Sequence, residues 1–233
     1  MCIFGVEEGL RVLKKVLIVA ATEAEADALR KILGIDSHTG CYTIGNCESE
    51  ILVTGVGSAA TSWSMMKWLC SNPKPELVIN IGIAGSFRND IAVGEVVIPV
   101  SDCFADAGIE TEEGFVTLYE TGLGDPPVNG GIMVADNHYV RMATDMLKPV
   151  NAVTVNTVSG SRETIERLLG KFNPDIETME GATFFYICLR EKIPFIALRS
   201  ISNMVEPRNK KKWNIQLAVN NMSESLKDFL LML

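Results

Sequence analysis

Three polar side chains stand where apolar segments end. Glu25 lies in AATEAEAD, Glu180 in ETMEGATFF and Asn203 in SISNMVEPRN. A carboxylate held between Met179 and a strongly apolar run, as Glu180 is, is costly to bury unless it accepts hydrogen bonds. One carboxylate can accept from two neighbouring hydroxyls, such as the 2′ and 3′ pair of a ribose. The competing reading is a helix N-terminal acid that complements the helix dipole. Glu25 admits the same two readings, and Glu23 and Asp27 beside it fit a solvated first turn. Asn203 comes soon after the apolar run IPFIAL. Alone it reads as a turn residue; with the others it reads as an amide delivered to a ligand.

Two glycine segments accompany them. In INIGIAGSF, residues 79–87, an apolar run leads into Gly82 and Gly85 with small residues between. Backbone groups there can touch a flat or sugar-like ligand, or they mark a close strand crossing. GVGSAA, residues 55–60, formally matches G-x-G-x-x-G/A, which brings in a nicotinamide oxidoreductase as another class. Yet it follows a later strand, and the acid about 20 positions on, Glu76, precedes a strand when it should end one. A tight strand-to-helix turn is the reading adopted, with glycines that still permit close backbone approach.

Strands and helices must carry these residues to one place. VLIVAA, residues 16–21, is the continuous apolar run of a strand buried on both faces. Thr22 is a candidate cap for a helix over 23–33. Further strands are expected at 41–47, 51–54, 77–81, 96–100, 152–158, 176–179 and 195–198. Helices are expected at 57–70, 137–147, 162–169, 181–190 and 211–231. Residues 101–131 read as strand pieces and a long loop, a lid or an interface. The alternation predicts an α/β single-domain three-layer sandwich, its mixed, largely parallel sheet covered by helices on both faces. Ligands gather at the carboxyl ends of strands in such sheets. Just past those ends stand residues 22–25, 55–58, 82–86, 159–161, 179–180 and 202–203.

The chain has 233 residues, 47% hydrophobic and 21% charged, which suits one large domain. A net charge of −8, with Lys210–Lys212 as the one basic run, argues against nucleic acid as a partner. His38 and His138 have no ligand partner nearby, so no metal and no cofactor is expected. Six cysteines without a CxxC pair point to a reducing, cytoplasmic setting. The first residues lack the apolar core of a signal peptide. They are expected to form a tail over 1–14, with the folded domain spanning 15–233. No apolar run approaches a membrane span.

In order, VAATEAEAD, NIGIAGS, MEG and SISN resemble the purine nucleoside phosphorylase and nucleosidase superfamily. SISNMVEPRN followed by WN looks closer still to its futalosine hydrolases, which release hypoxanthine from futalosine in menaquinone biosynthesis. The resemblance implies a nucleoside phosphorylase-like fold and a homo-oligomer. It implies that Met179 and Glu180 hold the ribose, that Ala84 and Gly85 line sugar and base, and that Glu25 activates the attacking water. Asn203, with Ser202 beside it, would address the purine.

Two departures choose between branches. Adenine-cleaving relatives, the methylthioadenosine/S-adenosylhomocysteine nucleosidases, carry Asp where Asn203 stands. An amide suits a 6-oxopurine: its NH2 donates to O6 and its oxygen accepts from N7–H. Phosphorylases of the superfamily hold phosphate with an arginine and a serine around the glycine segment; those positions are Asn80 and Ile83 here. Water is therefore the expected nucleophile. A nucleoside-binding protein without turnover is a further reading, and Glu25 argues against it. The second acid of the adenine-cleaving relatives is Thr178 here, and their base-stacking Phe region is Arg162–Glu163. Stacking then falls to Phe104 or Trp213. Arg208 either meets the substrate's benzoate or makes a surface ion pair.

Overall fold

The computed structural model describes residues 14–35, 40–124, 131–207 and 209–233. The expected tail lies outside them except for Lys14, which already belongs to the first strand. That strand, β1 (Lys14–Ala20), is fully buried from Leu17 to Ala20, as its uninterrupted apolar sequence requires. Helix α1 (Glu23–Leu33) follows, and Gly34 ends it in the left-handed conformation at φ 66°. Then come β2 (Cys41–Ile44), β3 (Cys47–Val53), α2 (Ser58–Ser71), β4 (Leu77–Ser86) and β5 (Val96–Asp102). The weakly readable middle forms a hairpin, β6 (Gly108–Thr111) and β7 (Gly114–Thr117), then the short β8 (Met133–Val134) and α3 (His138–Thr144). The last part comprises β9 (Lys148–Thr154), α4 (Arg162–Phe172), β10 (Ile176–Thr178), α5 (Gly181–Glu191), β11 (Phe195–Met204) and α6 (Ile215–Met232).

The α/β class is observed, and the sheet is mixed. Its path runs β10-β9-β5-β11-β4-β1-β3-β2, with β8 on β5. β10 also pairs antiparallel with β4, so β4, β11, β5, β9 and β10 close into a five-stranded ring. The sheet of the expected three-layer sandwich is thus closed on one side into a small barrel. Closure removes the free strand edges that an open sheet would leave there.

Closure also lengthens two strands beyond expectation. The glycine segment does not lie past the end of β4; it remains in the strand to Ser86, because β11 and β10 take up its backbone groups on either side. Ser202 and Asn203 likewise lie inside β11. The pairing of β11 with β4 slips there: Ile201 faces Ala84 and Asn203 faces Gly85, leaving Ser202 as the extra residue of a bulge.

α5 packs Phe184 and Phe185 against Phe195 of β11, with ring centroids 5.5 and 4.8 Å apart and edge-on geometry. These rings belong to the main core with β1, β4 and α6. Among the described residues no helix is long and apolar enough to cross a membrane.

Candidate functional site

A cavity of about 360 Å³ opens at the carboxyl ends of β1, β4, β10 and β11. Glu25, Ala84, Gly85, Met179, Glu180, Ser202 and Asn203 all line it. Residues distant in sequence thus meet in one place. Arg208 falls outside the described residues.

Glu25 is placed by the start of α1. Thr22 caps the helix through its hydroxyl, and Glu25 Oε2 accepts from Thr22 N and Thr22 Oγ1, both at 2.9 Å. This capping box fixes the carboxylate although it is 6% exposed. Oε1 lies over Gly82, where a built Cβ would stand 3.2 Å from it and 3.7 Å from the guanidinium carbon of Arg199.

Glu180 stands between β10 and α5, at the N-cap position of α5 but with no side-chain capping bond to it. Its Oε1 accepts from the backbone N–H of Gly57, the residue before α2, at 2.8 Å. GVGSAA therefore delivers a backbone donor to a carboxylate. The N-terminal ends of α1, α2 and α5 converge on Glu25 and Glu180, and their positive ends favour negative charge there. Burial raises Glu180's carboxyl above its usual range, while the Gly57 N–H and Arg199 oppose that rise.

Arg199 was not anticipated, although an arginine inside the apolar strand FIALRSIS was a legible signal. It is 1% exposed. Its guanidinium donates to Asn80 O at 3.1 Å, to Leu198 O at 3.0 Å and to Asn80 Oδ1. Burial lowers its pKa, against the charges of Glu180, Glu25 and Asp102. One buried cation thus supports a cluster of acids beneath the cavity.

Asn203 is aimed by the bulge. Its Nδ2 donates to Met204 O at 3.0 Å, and Ser202 Oγ lies 2.7 Å from its Oδ1. Ser202 Oγ is also 3.2 Å from Ala84 O, so its one hydrogen serves either acceptor. An amide has two N–H donors and two oxygen lone pairs. One donor and one acceptor remain for a ligand.

Thr22 and Thr178 line the cavity as well, and sequence reasoning missed Glu177 and Val158 as lining residues. Trp213 lines the cavity with Ile215 and Val219 of α6. Phe104, the other aromatic considered for stacking, lies instead against a separate depression with Ser58, Asn156 and Tyr186.

The phosphorylase superfamily model matches residues 15–231. The chain belongs to the phosphorylase superfamily. Within that superfamily it is similar to the futalosine hydrolase of Acidothermus cellulolyticus, 31% identical over 91% of this chain and 88% of that protein. It is also similar to the 5'-methylthioadenosine/S-adenosylhomocysteine nucleosidase of Haemophilus ducreyi, 28% identical over 82% of this chain and 86% of that protein. The futalosine hydrolase structure of Helicobacter pylori shares the superfamily fold, with a TM-score of 0.80, 18% identity and coverage of 95% and 99% of the two chains.

Proposed function

We propose that this chain is a nucleoside hydrolase that cleaves the N-glycosidic bond of futalosine, releasing hypoxanthine and dehypoxanthine futalosine. The observation that carries this reading is the meeting of Glu25, Glu180 and the amide of Asn203 around one cavity.

Breaking the bond leaves positive charge on the ribose and negative charge on the purine. Glu180 accepts from the ribose 2′ and 3′ hydroxyls; Met179, Ala84 and Gly85 line the sugar and base. Glu25 Oε1 accepts a proton from water as the water oxygen bonds to C1′ and the C1′–N9 bond breaks. The departing base takes a proton at N7 from solvent, since an amide has none to give. Asn203 then accepts from N7–H and donates to O6. Groups that bind more tightly as these charges develop supply the rate.

Asn203 separates this reading from the adenine-cleaving alternative. A carboxylate there would face O6 with like polarity, and a mispaired buried polar group costs about 1–3 kcal/mol. Phosphorolysis is disfavoured because Asn80 and Ile83 occupy the clamp positions, and because Arg199 directs its terminal nitrogens at Asn80 and Leu198.

The test is a panel of futalosine, aminodeoxyfutalosine, inosine and methylthioadenosine, each with and without phosphate. Phosphate-independent release of hypoxanthine from futalosine is expected. Faster adenine release would assign the chain to the 6-amino branch, and dependence on phosphate would make it a phosphorylase.

A further inference from the structure

Glu177 forms a lateral row with Gly85 and Asn203. Gly85 of β4 faces Glu177 of β10 on one side and Asn203 of β11 on the other. Residues in register across a sheet project from the same face. Strands lie about 4.8 Å apart, so the two flanking α-carbons stand roughly 10 Å apart with a residue lacking a side chain between them. Asn203 and Val205 cover that glycine: a Cβ built on Gly85 would lie 2.8 Å from Val205 Cγ2 and 3.2 Å from Asn203 Nδ2. Glu177 and Asn203 both line the cavity, and they are 5% and 8% exposed.

We infer that Glu177 is a specificity-determining residue that accepts a hydrogen bond from N1–H of the 6-oxopurine while Asn203 reads the N7 and O6 edge. This inference rests on the proposed function and deepens it. Glu177 and Asn203 border the same cavity from the two strands that flank Gly85. In hypoxanthine, N1 carries a proton; in adenine, N1 is an acceptor. An ionised carboxylate only accepts, so it pairs with the first and opposes the second. Ser159 keeps Glu177 in that role. Its N–H donates to Oε1 at 2.9 Å and its hydroxyl donates to Oε2. A carboxylate has about four lone-pair sites, so acceptor capacity remains for the base. Burial raises the Glu177 carboxyl, and both Ser159 donors act against that rise.

The competing role is a pin that only fastens the Ser159 loop. Equilibrium binding of free hypoxanthine and free adenine separates the two, using wild type and Glu177→Leu with folding checked by thermal unfolding. The expected result is a loss of hypoxanthine affinity on the order of tenfold or more, with adenine affinity changed far less. Equal loss on both bases, or no hypoxanthine binding by the wild type, overturns the inference. A second measurement needs no variant. The wild type is expected to bind 1-methylhypoxanthine at least tenfold more weakly than hypoxanthine, and equal binding overturns the inference. Base binding requires no turnover. A protein that shows the Glu177-dependent preference but does not hydrolyse futalosine therefore refutes the hydrolase reading and leaves this one standing.

Discussion

Gly181 and Asp102 are in contact at the start of α5: a Cβ built on Gly181 would lie 2.1 Å from Asp102 Oδ2 and 2.8 Å from Thr178 Oγ1. Thr178 Oγ1 accepts from Gly181 N at 3.3 Å, and Thr154 Oγ1 accepts from Ala182 N at 2.7 Å. Thr154 Oγ1 in turn donates to Asp102 Oδ1 at 3.0 Å. Two strands thus supply the hydroxyls that satisfy the first turn of α5 and hold Glu180 in place. Gly181→Ala is expected to destabilise the protein by about 1–3 kcal/mol, the usual cost of overpacking. Urea unfolding checks this. The same substitution in an Asp102→Ala background should cost less, because the group it collides with is gone; an equal cost in both backgrounds contradicts the contact.

Asp102 itself predicts a pH dependence. Burial pushes its carboxyl up to about 7 from an ordinary 3.8, and its Oδ2 has no hydrogen-bond partner among the described residues. The folded state keeps the proton that the unfolded chain has already lost. The protonated group's stabilising contribution is therefore full below about pH 4, falls as pH rises towards 7, and levels off above. The slope is at most about 1.4 kcal/mol per pH unit. Urea unfolding of wild type and Asp102→Asn from pH 5 to 8.5 should show the wild type losing stability relative to the variant as pH rises. A constant difference contradicts the raised carboxyl.

The sequence exposed what is local. VLIVAA declared β1, and MEG and SISN marked two segments that reach one cavity, because each stands out against its own apolar neighbours. Ring closure was hidden, since β10 meets β4 across some ninety positions and nothing within Ile176–Thr178 encodes that partner. The same closure explains why Gly82–Gly85 and Ser202–Asn203 read as loop ends although they are strand. Glu177 was passed over because its role depends on lying beside Gly85, a pairing only the ring creates. Arg199 was legible as a charge in an apolar run, but its partners Asn80 and Glu25 were not.

Glu25→Gln separates chemistry from structure. Glutamine can still accept from Thr22, and Gln is a natural third residue of a capping box, so stability should change little. It cannot take a proton from water. The rate of hypoxanthine release should fall by about 10²–10⁴ while hypoxanthine binding is retained. Single-turnover kinetics alongside base binding provides the check; an unchanged rate would remove Glu25 from the proposed mechanism.

Gly82→Ala probes the same acid without altering it. The added methyl would stand 3.2 Å from Glu25 Oε1, so the carboxylate must shift by a few tenths of an ångström, while Arg199 at 3.7 Å is in ordinary contact. Misplacement of a reacting group by about 1 Å can cost 10²-fold, and this smaller shift should lower the rate on the order of tenfold. Substrate affinity should move much less, which steady-state kinetics will show as a fall in kcat with KM nearly unchanged.

Asn203→Asp should shift the preference towards 6-amino bases. The amide now donates to Met204 O at 3.0 Å and has Ser202 Oγ at 2.7 Å. A carboxylate keeps the Ser202 bond but turns an oxygen towards the Met204 carbonyl. That repulsion favours the protonated acid, whose one proton serves either Met204 O or N7 while its other oxygen accepts from a 6-amino group. Futalosine cleavage should drop about tenfold or more through the mispairing at O6. Cleavage of aminodeoxyfutalosine should rise relative to it, most clearly at lower pH where the acid is protonated. The measurement is the ratio of kcat/KM for the two substrates between pH 5.5 and 8. A variant that keeps the wild-type ratio throughout would show that residue 203 does not read the purine.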